Sequence, residues 1–262
     1  MSRRRVSPRE LEQLRDDVTE RDRAVLETAY AFRLVSGRQL RRLYFPGGET
    51  EARACRRVLA RLYRWGALRR LDRRVGGLRA GSDGFVYTIG SVGERLLSAE
   101  RPRRRLTEPS SAFVAHTLDV TEFYVTLVEA IEVTDHGDVI DYQTEPACWR
   151  DFSGIGGRQV LRPDLYVSIG LGELEHRWFI EVDRGTEHLP AIMRKSTTYD
   201  RYYRLGIEQT KHGNFPRVLW ATTSERRADA MLRTLDASSL TRGLFRVVTL
   251  EHAVDALVGE RP

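Results

Sequence analysis

The chain has 262 residues, 41% of them hydrophobic and 31% charged, with a net charge of +6. This is enough apolar content for a packed core and too much for a disordered chain, and the length suits two modest domains. No apolar run approaches the length of a membrane span and no signal-peptide core follows the basic start MSRRRVSPRE, so a cytoplasmic protein with no membrane partner is expected. From the N-terminus, Ser7-Pro8-Arg9-Glu10 has a capping-box pattern that starts a short helix. Thr19, with Asp22 three residues on, caps a second helix through Val35, which Ser36-Gly37 breaks. RQLRRLYF forms a short helix ended by Pro46-Gly47-Gly48. Thr50 is expected to cap the next helix, EARACRRVLARLYRWG, which stops at Gly66. A short strand at Leu68–Leu71, a glycine-rich basic stretch, the strand FVYTI and a helix GSVGERLLSA follow.

The charge is unevenly spread. Residues 1–110 carry 26 arginines, no lysine and 14 acids, whereas the remainder carries 17 bases and 23 acids. A GC-rich genome explains arginine over lysine, but not why bases exceed acids in one half only. The first half is therefore the candidate for a polyanion partner. Its order of helix, short helix, helix and two-stranded hairpin is that of a winged helix-turn-helix. In the third of these helices Cys55, Val58, Leu59 and Leu62 form an apolar face, while Arg53, Arg56, Arg57, Arg61 and Arg64 fall largely off it. With Arg38 on the preceding helix and Arg73, Arg74 and Arg79 on the hairpin, they are the expected contacts to double-stranded DNA. An ordinary solvated basic face is the competing reading, as is a protein-binding winged helix. Such modules often bind palindromes as dimers, so a homodimer is a further expectation.

ERPRRRLTEPSS, residues 100–111, has no hydrophobic period and marks the expected seam. The domains are thus read as 1–99, a winged helix-turn-helix, and 112–262, an α/β domain with a mixed sheet. The second begins with the long helix AFVAHTLDVTEFYVTLVEAIEVT. A strand in DVIDYQTEPACW, the runs VLRPDLYVSI and HRWFIEVD joined by GLGELE, a helix, the strand FPRVLWATT, another helix and the strand GLFRVVTL follow. Glu181 and Asp183, two apart on a strand, project from the same face, and correct hairpin register would set Asp164 beside them. Three clustered carboxylates repel unless a cation sits between them, so Asp164, Glu181 and Asp183 are candidate ligands for Mg²⁺ or Mn²⁺. The alternative is strand-end acids paired with Arg162, Arg177 or Arg184. Cys55 and Cys148 match no zinc spacing. No phosphate-binding loop or dinucleotide fingerprint is present, so no nucleotide cofactor is expected.

FIEVDRGTEHLPAIMRKSTTYDRYYRL, with HTLDVTEFYVTL and RPDLYV upstream, resembles the plasmid replication-relaxation family. RQLRRLYF and the arginine-rich helix ending at Trp65-Gly66-Ala67-Leu68 fit it as well. The similarity runs from about Thr19 to Leu250. Its most specific piece is Glu-x-Asp-Arg-Gly-Thr-Glu at 181–187 followed by Lys195 and Tyr199. The resemblance implies DNA replication and relaxation, and a C-terminal domain similar to the PD-(D/E)XK nuclease fold. It also implies Asp164 and Glu181 as metal-binding catalytic acids, with Glu122 as the acid that the first helix of such domains supplies. Asp183 stands where these nucleases carry a lysine, and Lys195 on the next helix is the expected substitute. Three functions stay open: a DNA binder whose second domain serves assembly, regulation or a second DNA contact, a metal-dependent DNA endonuclease or nickase, and an adaptor for proteins.

Overall fold

A computed structural model describes residues 6–74, 84–97, 109–134, 137–154 and 157–259, and the side chains of 72–74 fall outside that description. The chain is α+β with a mixed multi-strand sheet, and it divides into two compact units, Met1–Val125 and Thr126–Pro262.

The first unit opens with α1 (Pro8–Asp17), α2 (Glu20–Ala31), β1 (Val35–Ser36), α3 (Gly37–Tyr44) and α4 (Glu49–Trp65). It continues with β2 (Leu68–Arg74), β3 (Phe85–Ile89), α5 (Ser91–Leu97) and the start of α6 (Ser111–Glu132). Its three strands lie in the order β1-β3-β2, antiparallel throughout. The helix starts follow from local chemistry. Ser7 accepts from the Glu10 N–H, and both Thr19/Asp22 and Ser36/Gln39 close full capping boxes. α4 begins earlier than its sequence suggests: Gly48, not Thr50, is the N-cap, and no side chain caps it. At its other end Gly66 takes φ 71°, a conformation that glycine adopts without penalty. Val25, Leu26 and Ala29 of α2, Leu40 of α3, Cys55, Leu59 and Leu62 of α4, and Tyr87 and Ile89 of β3 make the core.

The stretch expected as a linker, 100–111, lies mostly outside the described residues. α6 contributes its first fifteen residues to the first unit. Leu118 and Val114 pack on Leu34 and Val86, and the Thr121 hydroxyl donates to the Leu34 carbonyl.

The second unit holds β4 (Gly137–Thr144), β5 (Arg150–Gly154), β6 (Gly157–Leu161), β7 (Leu165–Leu171) and β8 (Leu174–Asp183). Then come α7 (Leu189–Arg204), α8 (Ile207–His212), β9 (Arg217–Thr222), α9 (Glu225–Asp236), β10 (Phe245–Thr249) and α10 (Ala253–Val258). The five-stranded sheet runs β10-β9-β8-β7-β4. β8, β9 and β10 are parallel, and β7 is antiparallel to both its neighbours. The β7–β8 turn uses Gly172 at φ 61°, which is why GLGELE reverses the chain so tightly.

α7 and α9 are the crossover helices that parallel pairing requires. They cover one face of the sheet. Ile192, Tyr199 and Tyr202 of α7 and Ala228, Met231 and Leu235 of α9 pack on Tyr166, Phe179, Val218, Trp220 and Val247. β5 and β6 form a separate hairpin between β4 and β7 that the sequence reading did not anticipate. Arg150 ties it down: its guanidinium donates to Glu208, Gln143 and the Ala147 and Trp149 carbonyls, and it lies over Tyr166 and Phe179.

Candidate functional site

In parallel α/β sheets the carboxyl ends of the strands are where sites form, because the crossover loops open there. In the second unit that end carries Glu181 and Asp183 of β8 and Thr222 of β9. β7 runs the other way, so its beginning meets the end of β8. Leu165 pairs with Ile180, and one step further the register sets Asp164 opposite Glu181. Two hydrogen bonds fix the pair of backbones there. The Asp164 N–H donates to the Ile180 carbonyl at 3.2 Å, and the Val182 N–H donates to Asp164 Oδ2 at 2.8 Å.

Glu181 shares a strand face with Phe179 on β8 and so faces α7. It is 1% exposed. Lys195 and Tyr199 stand four residues apart on α7, on one helical face. The Lys195 ammonium donates to Glu181 Oε2 and the Tyr199 hydroxyl to Oε1, each at 2.5 Å. Burial works to raise the Glu181 carboxyl, with the Lys195 charge opposing and the Asp164 charge adding to the rise. Burial works to lower Lys195, but the charges of Glu181 and Asp164 outweigh it and hold the ammonium above the ordinary lysine range. Burial, then Glu181, raises the Tyr199 phenol. The Lys195 side chain is 28% exposed. The site therefore presents one reachable cation over a buried carboxylate.

Two of the expected acids are engaged elsewhere. Asp183 shares a strand face with Glu181, yet its carboxylate takes the Arg227 guanidinium of α9 at 2.8 and 3.3 Å, the Thr222 hydroxyl at 2.9 Å and the Gly185 N–H at 3.1 Å. Arg227 also donates to the Glu187 carbonyl. These hydrogen bonds make Asp183 an anchor for the loop between β8 and α7. Glu122 is held by Arg42 and by Gln39, at 2.9 Å from the latter, within the first unit. Among the described residues no three His, Cys, Asp or Glu side chains converge in a way that could hold a metal.

The Asp164 charge is felt at the Glu181 carboxyl, and a pair of neighbouring acids suits a particular kind of ion. Mg²⁺ characteristically takes one or two carboxylates, keeps water and uses substrate phosphate for the remainder. Asp164 and Glu181 fit that donor set, at the cost of loosening Glu181 from Lys195.

The first unit carries the basic residues. On α4, Ala52, Cys55, Leu59 and Leu62 are buried, and Arg53, Arg57 and Arg64 are exposed, as is Arg38 on α3. Arg61 reaches Asp22 of α2 at 2.6 and 2.7 Å and lies over Trp65, and Asp22 is fully buried. Arg61 is thus the counter-charge of a core acid. Arg73 and Arg74 lie on β2 with side chains outside the described part, and Arg79 lies outside the described residues.

Sequence reasoning missed Arg227 and Thr222, whose link to Asp183 spans about forty residues with no local spacing to announce it. It also missed Glu49, which accepts from Arg56 at 2.7 Å and lies 3.4 Å from Arg53. Two tyrosines of α7 are interior: Tyr199 and Tyr202 are buried, and Tyr202 donates to Glu208 at 2.7 Å.

A mixed α+β chain with an acid pair and a lysine at the carboxyl ends of its strands is the class defined so far. The replication-relaxation family model matches residues 26–218, well over half the chain, and the protein belongs to that family. Membership points to a replication-related role. No curated protein and no solved structure matches the chain. No helix among the described residues is long and apolar enough to cross a membrane.

Proposed function

We propose that the protein processes DNA in plasmid or mobile-element replication. In this reading the first unit docks on duplex DNA as a winged helix-turn-helix, and the second is a PD-(D/E)XK-type domain that cuts or nicks the strand with Mg²⁺ or Mn²⁺. The observation that carries the reading is the meeting of Asp164, Glu181 and Lys195 at the carboxyl ends of the strands. Support for the docking module comes from the order α2, β1, α3, α4, β2, β3 with its three-stranded sheet, and from the arginines that α4 turns outward.

Asp164 and Glu181 would hold the ion. When bound, such an ion supplies charge neutralisation on the phosphate and a more acidic water. The chain's own groups do the rest. The partly exposed Lys195 ammonium stabilises negative charge developing on a phosphoryl oxygen, the part a lysine at position 183 plays in related sites. Tyr199 orients the Glu181 carboxylate from the core side. Asp183, in the lysine slot, fixes the loop from which α7 starts.

Nicking of supercoiled plasmid in Mg²⁺ or Mn²⁺ tests this. Asp164→Ala, Glu181→Ala and Lys195→Ala are each expected to slow nicking about 100-fold or more. Nicking that survives all three substitutions would reject the site. A wild-type protein that binds duplex yet cuts with neither metal would leave a DNA-binding protein with a silent second unit. Absence of salt-dependent duplex binding would leave the adaptor reading.

A further inference from the structure

Glu49 sits in the first turn of α4, on the face that this helix turns outward. At about 100° per residue, Glu49, Arg53, Arg56, Arg57, Ala60 and Arg64 fall within roughly a third of the helix circumference. The buried positions Ala52, Cys55, Leu59 and Leu62 lie on the other side. The other acid of α4, Glu51, lies off this face beside Arg21, at 3.4 Å. Glu49 is thus the one acid of α4 on a face of four arginines, with a small alanine at its centre. Its carboxylate is 64% exposed and engages two of the four: Arg56 at 2.7 Å and Arg53 at 3.4 Å. The Arg56 hydrogen bond and charge, followed by Arg53, hold the Glu49 carboxyl below its ordinary range, so it is ionised at neutral pH.

An ionised carboxylate at this position is costly on a phosphate-binding surface. It repels the backbone of any duplex, and it occupies two guanidinium groups that could otherwise neutralise phosphate. An acid in the first turn suits the helix N-terminus and its i,i+4 arginine, and on a duplex it gains a use of its own where something donates to it. In the major groove the donors are amino groups, and a glutamate's characteristic match is the cytosine N4 amino group.

We infer that Glu49 is a specificity determinant of the DNA-binding surface, selecting a cytosine in the major groove and suppressing binding to other sequence. On unselected duplex the carboxylate stays with Arg53 and Arg56, and the surface is under-charged. At a site with cytosine in register, the amino group takes the carboxylate and frees both arginines for phosphate or guanine. Base reading and backbone binding are thereby coupled through one side chain. This inference rests on the winged-helix reading proposed above.

The test uses the full chain and a pool of randomised duplex DNA. Wild-type protein, Glu49→Ala and Glu49→Gln are each taken through selection, then titrated on the enriched and unselected duplexes over a range of salt. Wild type is expected to enrich a fixed C·G pair at one position. Glu49→Gln changes that position to adenine, which glutamine reads through N6 and N7, and leaves the others alone. Glu49→Ala loses preference there and binds unselected duplex several-fold tighter, with a salt slope steeper by about 1–2 as the two arginines are released. Glu49 is exposed and caps nothing, so matching circular dichroism and Tm are expected for all three proteins. Identical enriched sequences and salt slopes across the three would overturn the role of Glu49 while leaving the docking module in place. A wild type with no salt-dependent duplex binding would overturn both.

Discussion

Arg227 and Asp183 show what a single buried charge pair does for this site. The Asp183 side chain is 1% exposed and that of Arg227 20%, so removing the arginine strands a carboxylate that has only Thr222 and Gly185 left as donors. Loss of one partner from a buried pair costs on the order of 3 kcal/mol. Arg227→Ala is therefore expected to lower stability by about that amount in urea unfolding, and Asp183→Leu/Arg227→Met to recover most of it, because apolar replacement of both partners is often near neutral. A double variant no more stable than the single one would show that the pair contributes beyond mutual neutralisation. A second charge cluster is pH-sensitive in a defined direction. Glu175 on β8 receives hydrogen bonds from Arg177 and Ser168, which bring its carboxyl down to about 2, and Arg177 in turn holds the His212 carbonyl at 2.9 Å. With the folded value below the ordinary 4.5, the unfolded chain binds the extra proton between those limits, so the stabilisation is present above 4.5 and lost as pH falls toward 2. Glu175→Gln is expected to be less stable than wild type at pH 6, with the gap closing across that window in thermal melts. A gap that stays constant down to pH 2.5 would assign the effect to packing.

At the scale of elements, the turn after α4 depends on close backbone approach. The Gly90 N–H donates to the Ala67 carbonyl at 2.8 Å and the Val92 N–H to the Gly66 carbonyl at 3.3 Å. A Cβ on Gly93 would lie 2.2 Å from the Ala67 carbonyl oxygen and 2.6 Å from Ile89 Cδ1. Gly93→Ala is expected to destabilise the first unit by several kcal/mol and to weaken duplex binding with it, since α4 is seated by this turn. An unchanged Tm would mean that the backbone yields at little cost. The elements themselves were largely legible from local signals. The capping box at Thr19, the N-cap at Ser7, the α4 apolar stripe and the period of HRWFIEVD all announce their structure within one window. The β5–β6 hairpin was not legible, because RDFSG and GRQVL alternate poorly and are held by Arg150 acting across 58 positions to Glu208. Within the site, strand period 2 and hairpin register bring Asp164 to Glu181, and helical spacing brings Lys195 and Tyr199 together. The arginine partners of Asp183 and Glu122 were not legible: Arg227 and Arg42 are 44 and 80 residues distant, and residue type at a suitable spacing says nothing about which cation a fold delivers.

At the scale of the molecule, the basic excess and the acid–lysine cluster lie in different units. The basic excess belongs to residues 1–110, and the remainder is acidic overall. The Asp164–Glu181–Lys195 site lies wholly within the second unit, and the arginine face of α4 wholly within the first. If the proposed division of labour holds, affinity and cleavage are separable by substitution. Arg53→Glu/Arg57→Glu reverses two charges on the α4 face and is expected to weaken duplex binding at least tenfold and to flatten its salt dependence by about 2, with cleavage falling in proportion at low protein concentration. Glu181→Gln is nearly isosteric, keeps an acceptor for Tyr199 and removes only the negative charge beside Lys195. It is expected to abolish nicking while leaving duplex affinity and salt slope within about twofold of wild type, because the phosphate-binding charges lie in the other unit. Fluorescence anisotropy on a labelled duplex and plasmid nicking, run on the same preparations, check both. If Glu181→Gln changed the salt slope as much as the arginine reversal does, the second unit would share in binding the backbone, and the charge asymmetry of the sequence would have overstated the division between the two units.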